Sequence, residues 1–222
     1  MRIIFLTSSN NSSGGGRQAL YLASGMAERG HDVTFFASPE SMLRPLAPTL
    51  AWADLPDKRS QWRKTLESAI RPGEPTIVHA FHNKAVKSLA WSGTLWRMAG
   101  KPVACVAHRG VIYRPNNFFP YILPGIRIFA VNSEACLKTL PLFWRKDAGR
   151  VIYNCVPDSK ITPERSKDEV REELGITPET TLLGCVGNNA PVKGLSVLFT
   201  AFSRMKREGR VLCAIGLSPE KW

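Results

Sequence analysis

The chain is 222 residues long, 24.6 kDa, 44% hydrophobic and 22% charged, with a formal net charge of +12. That length holds one large domain, or one domain and part of another, and the composition is globular rather than fibrous or disordered. Its apolar runs are strand-sized, which excludes a spanning helix; Ile3–Leu6 is too short for a signal-peptide core, and cysteines at 105, 136, 155, 185 and 213 without a C-x-x-C pair fit a reducing cytosol.

In chain order, the pattern predicts alternating strands and helices. Residues 2–7 are apolar and β-branched, the mark of a buried strand. A polar loop, 8–16, ends in Gly14-Gly15-Gly16. Ala19, Leu22, Ala23 and Met26 then repeat at i, i+3, i+4, i+7 on one helix face, and Gly30 ends that helix. A second strand is expected at 33–37, and a basic helix from an Asp57 cap to about 70. Further strands are expected at 76–80, 103–107, 128–131 and 151–153, with helices at 84–98 and after Ser133.

Residues 109–126 interrupt the alternation with three prolines and four aromatics, and read as a long loop or a short irregular helix. Residues 154–166 read as a linker. A second unit then begins as the first did: a charged helix at 167–174, a strand at 181–186, a glycine-bounded loop at 187–194, a helix at 195–206 and a strand at 210–215. Parallel strands joined by helices form a doubly wound α/β sheet. The expected organisation is a Rossmann-like domain over 1–155, a linker over 156–166, and an incomplete second Rossmann-like domain over 167–222. Two strands and one long helix cannot cover both faces of such a sheet.

Charge is unevenly placed. Residues 1–155 hold 20 Lys/Arg against 9 Asp/Glu, and no carboxylate lies between Glu74 and Glu134. Such a surplus points to acidic partners: an anionic membrane surface, phosphorylated substrates or nucleic acid. No recognition helix, RNP motif or zinc spacing supports nucleic acid.

Four constellations can carry chemistry. Gly14-Gly15-Gly16 stands where backbone N–H groups and a helix start bind anions, but it is neither G-x-G-x-x-G nor a Walker A loop. Lys193-Gly194 occupies the corresponding place in the second unit, where a lysine reaches a diphosphate. His108-Arg109 follows a strand end, where an imidazole faces the ligand crevice near neutral pH. His79 and His82 bracket another strand end, with no ligand spacing for a metal. Arg109, Arg114, Phe118, Phe119 and Tyr121 combine cations with aromatics, as suits an acceptor pocket or an anionic bilayer interface.

The order and spacing of several short pieces resemble the GT-B-fold glycosyltransferases of family 4. These pieces are 2–7, Gly14-Gly15-Gly16, Arg29-Gly30-His31-Asp32-Val33, Ile77-Val78-His79, 103–108, Val131-Asn132-Ser133, 151–156, 171–175, and 184–194 leading to Ala201-Phe202. The resemblance implies two Rossmann-like domains and retaining transfer from a nucleotide-sugar donor to a saccharide or lipid-linked acceptor, in cell-envelope glycan synthesis. It implies a cytoplasmic enzyme, peripheral at the inner membrane face, with no metal or other cofactor. Gly14, Gly15 and Gly16 would lie near the donor phosphates, His108 would contact the transferred sugar, and Lys193 would stabilise the leaving diphosphate. Two features depart from the pattern: Asn188 and Asn189 stand where an arginine often precedes the lysine, and the family's two glutamates eight positions apart are expected beyond residue 222. A truncated, non-catalytic member that binds acceptor or membrane is the alternative reading. A nicotinamide-dependent oxidoreductase is disfavoured, because its fingerprint is absent.

Overall fold

The structure is a computed structural model, and it describes residues 1–188, 190–206 and 208–217. It divides into two units, Met1–Asp158 and Ser159–Trp222.

The first unit is a seven-stranded parallel sheet in the order β3-β2-β1-β4-β5-β6-β7. Its strands are β1 (Arg2–Thr7), β2 (Asp32–Ala37), β3 (Ala51–Asp54), β4 (Thr76–Phe81), β5 (Val103–Arg109), β6 (Ile128–Val131) and β7 (Gly149–Val151). Helices α1 (Gly14–Glu28), α2 (Trp62–Ser68), α3 (Asn83–Met98), α4 (Phe119–Ile122) and α5 (Glu134–Lys138) supply the connections. β1 is buried along its whole length and its side chains alternate between two cores. Ile3 and Phe5 join Ala19, Leu20 and Ala23 of α1 on one face, while Ile4 and Leu6 join Leu66, Leu89, Trp96 and Phe129 on the other. The strand order reverses between β1 and β4, and at such a switch point the carboxyl ends of the strands open a crevice.

Several local features depart from expectation. β3 was not anticipated: Ala-Trp-Ala-Asp offers one large side chain, and the strand is held by Trp52, which packs on Phe35 at 4.8 Å and donates Nε1–H to the Ala47 carbonyl at 2.9 Å. Asp57 caps nothing. Trp62 Nε1 bonds the Pro56 carbonyl at 2.7 Å and bends 56–61 into a loop and one tight turn, so α2 starts at Trp62 with Gln61 as its cap. The glycine triplet is the first turn of α1 rather than a loop before it. α4 is the short irregular helix of the proline-rich segment.

Close approach fixes how that segment sits on α3. A Cβ at Gly125 would lie 2.1 Å from the Ala90 carbonyl oxygen and 2.4 Å from the Thr94 nitrogen, and one at Gly93 would lie 2.5 Å from the Gly125 oxygen. Only two glycines allow these backbones to touch.

The second unit contains α6 (Lys167–Glu173), β8 (Thr181–Val186), α7 (Leu195–Arg204) and β9 (Arg210–Ile215), with β8 and β9 parallel. Ser166 and Glu169 cap α6 reciprocally. Among its described residues only Ile176 and Leu195 are buried hydrophobics, as a two-stranded sheet dictates.

Candidate functional site

The carboxyl ends of β1, β4 and β5 converge on the start of α1. The N–H groups of Gly14, Gly15 and Gly16 precede the first backbone bond of that helix, from Arg17 N to the Ser13 oxygen at 2.9 Å, and so have no partner within it. With the positive end of the helix dipole they present an anion-binding surface. The approach is shaped by its own polar loop: Asn11 Oδ1 accepts from Ser9 Oγ at 2.9 Å and from Ser13 N at 3.2 Å.

His108 stands opposite. It pairs in register with Phe81 across β4 and β5, and the two rings stack at 4.6 Å. A cavity of 440 Å³ is lined by Gly14, Gly15, His82, Asn83, His108 and Asn132, among others. Gly14 and Gly15 therefore share a cavity with His108, while Gly16 is buried beneath it against Leu43. Burial, with the charge of His82 adding to it, lowers the His108 pKa to about 4. The imidazole is thus neutral at pH 7, a form that can donate or accept a hydrogen bond but carries no charge.

The sequence singled out His82 only as one end of a strand. Its backbone is in the left-handed region, at φ 70°, which costs a non-glycine residue on the order of 1 kcal/mol or more. Its Nδ1 pairs with Thr7 Oγ1 at 2.8 Å, and Thr7 in turn accepts from Ser9 N at 3.2 Å. The ring lies over the helix start, so a Cβ at Gly15 would sit 3.1 Å from His82 Nε2. Burial holds the His82 pKa below its ordinary value. Neighbouring His79 stacks on Phe5 at 5.6 Å and leaves its Nε2 buried without a hydrogen-bond partner among the described residues. Burial chiefly, and then His108, push His79 down to about 3.

A second wall of the crevice is apolar. Between α1 and residues 152–157 lies a 490 Å³ cavity, lined by Leu22, Met26, His79, His108, Ile152 and Tyr153, among others. Gln18 Nε2 bonds the Cys155 carbonyl at 2.8 Å and ties that segment to α1.

The aromatic and basic set separates by burial. Arg109 is 7% exposed; its Nη1 bonds Asn83 Oδ1 at 2.9 Å and its Nη2 bonds the Tyr113 carbonyl. Tyr121 is buried against Phe129 at 5.2 Å. These two hold residues 110–121 in place and lie off the outer surface; Arg109 lines two cavities and leaves its Nε buried without a hydrogen-bond partner among the described residues. Arg114, Phe118 and Phe119 are at the surface or half-buried and remain accessible. Phe143 and Trp144 join them: Phe118 stacks on Phe119 at 4.9 Å, meets Phe143 edge-on at 6.4 Å, and Phe143 stacks on Trp144 at 5.9 Å. The sequence reading missed this pair because they lie 24 residues beyond Phe119 in the chain.

Lys193 and Gly194 belong to the other unit. Lys193 is exposed in the tight turn Pro191–Lys193, and Gly194 starts α7 at φ 64°. Asn188 is exposed, and Asn189 lies outside the described residues. Among the described residues no three His, Cys, Asp or Glu side chains are grouped to hold a metal ion, and no helix is long and apolar enough to cross a membrane.

No curated protein sequence matches the chain. Solved structures do. HepE of Anabaena in complex with UDP-glucose superposes with a TM-score of 0.77 at 16% identity, covering 98% of this chain and 61% of HepE. The HepE complex with UDP gives 0.74 at 15% identity, covering 99% and 70%. An alpha-glucosyltransferase in complex with UDP gives 0.57 at 13% identity, covering 99% and 59%. The chain thus spans about three fifths to 70% of these neighbours and shares their Rossmann-like GT-B fold. A sequence model described as Glycosyltransferase Family 4 matches residues 12–160, which run from the loop before the glycine triplet through β2 to β7 and past the end of the sheet. The chain belongs to Glycosyltransferase Family 4.

Proposed function

We propose that the protein transfers a sugar from a nucleotide-sugar donor, with retention of configuration, to a saccharide or lipid-linked acceptor in cell-envelope glycan synthesis. The observation that carries this reading is the shared cavity of Gly14, Gly15 and His108: an unpaired helix start facing a neutral imidazole. The N–H groups suit the charge of a donor phosphate, and the imidazole suits a sugar hydroxyl. UDP-glucose bound to HepE supports a donor of the UDP-sugar class. Lys193, at the start of α7, would add a point charge to the departing diphosphate.

A panel of nucleotide sugars, assayed for transfer and donor hydrolysis with the full-length protein, tests the reading. Turnover with one of them is the expected result, reduced about 100-fold or more by His108→Ala. Absence of turnover with every donor would contradict it.

We further propose that the protein works at the cytoplasmic face of a membrane. Phe118, Phe119, Phe143 and Trp144 are 46–72% exposed and form one stacked group on a unit rich in cations. Exposed rings beside positive charge suit an anionic interface. Co-sedimentation with phosphatidylglycerol vesicles at low salt should be strong and should weaken when Phe118 and Trp144 are replaced by serine. Equal recovery of the variant, or none of either protein, would remove this proposal.

A further inference from the structure

The crevice does not end at His108. The 440 Å³ cavity shares Asn83, Arg109 and Val111 with a neighbouring one of 350 Å³. That cavity shares Lys87, Asn117 and Pro120 with a third, of 460 Å³, lying between α2, α3 and the proline-rich segment. Three adjoining cavities therefore follow one another from His108 along α3. Its far end is lined by Arg59, Arg63 and Lys87, and by no carboxylate among the described residues. Neither Arg59 nor Lys87 has an ion-pair partner among the described residues. Arg63 is held by Glu67 at 2.9 Å, and the same Glu67 oxygen also takes Trp96 Nε1 at 2.8 Å and Lys101 Nζ at 3.5 Å. The floor adds Ser92, which is 3% exposed and lines this cavity.

We propose that this pocket is an anion subsite that holds a phosphoryl group of the acceptor while the acceptor's reacting hydroxyl lies at His108. The inference rests on the acceptor-side reading above and adds the chemistry of the acceptor to it. Two cations without an ion-pair partner among the described residues, the Ser92 hydroxyl and a third cation held in place by Glu67 match a phosphate's charge and its several acceptor oxygens. Trp91 forms the rim and reports on occupancy.

The test uses inorganic pyrophosphate, titrated into the chain at low salt while tryptophan fluorescence is followed. A saturable change that disappears in Trp91→Phe is expected. The double variant Arg59→Gln/Lys87→Gln should weaken binding about tenfold or more. Vesicles separate the two sources of phosphate. Displacement of pyrophosphate by phosphatidic-acid vesicles, but not by phosphatidylcholine, assigns a lipid-linked phosphate; no displacement assigns a soluble phosphorylated acceptor. No saturable change, a change that survives Trp91→Phe, or one that the double variant leaves intact would overturn the subsite. Donor hydrolysis measured in parallel keeps the readings apart: its failure with an intact pyrophosphate response removes the transfer reaction and leaves the pocket.

Discussion

Three histidines at the ends of two neighbouring strands dominate the chemistry of the crevice. Their burial has a consequence for stability. His79 and His108 are lowered from the ordinary value near 6.5 to about 3 and about 4, mainly by desolvation. The unfolded chain therefore takes up protons first as pH falls. Stability contributed by the neutral rings is complete above about pH 6.5 and is lost progressively below it, down to the folded values. Each ring contributes on the order of 1 kcal/mol per pH unit in that window. Urea unfolding at pH 7.0 and 5.2 should show a clear drop in midpoint, smaller in His79→Leu. A midpoint that does not move would contradict the burial of these rings. His108 was legible in the sequence from its place after an apolar strand. The part played by His82 was not, because it depends on a left-handed backbone and on the Thr7 hydroxyl, 75 positions away. Gly15 shows both sides: its place between β1 and α1 was legible, its need to admit the His82 ring was not.

At the scale of elements, apolar run length and β-branching placed five of the seven strands in the first unit, and the 3.6-residue repeat placed α1 and α3; β7 was set two residues late, at 151–153 rather than Gly149–Val151, because the apolar run Val151-Ile152-Tyr153 extends past the ladder. β3 escaped because a central tryptophan between alanines has no period to read. The extent of α2 was misplaced because the Trp62–Pro56 bond, not an aspartate cap, sets its start. The proline-rich segment is positioned by the Gly93–Gly125 contact, which no periodicity encodes. Gly125→Ala should be destabilising, by about 1–3 kcal/mol or more, because the added Cβ meets backbone atoms that cannot rotate away. Chemical denaturation measures it; a loss below about 0.5 kcal/mol would show that α3 and residues 124–126 are not in backbone contact.

At the scale of the molecule, the doubly wound arrangement followed from the alternation of strands and helices, and the reversal between β1 and β4 puts the glycine triplet and His108 on one crevice. The charge surplus of residues 1–155 was visible as a count, but its grouping into an exposed aromatic face and a separate basic pocket appears only once α2, α3 and residues 113–144 are brought together. The central claim is that the neutral His108 touches the transferred sugar. Its most direct test is an imidazole NMR titration of the ¹⁵N-histidine-labelled full-length protein with the nucleotide sugar it turns over, all four histidines being assigned. The account predicts saturable shifts at His108 and His82 and none at His31; turnover with an unshifted His108 would contradict it.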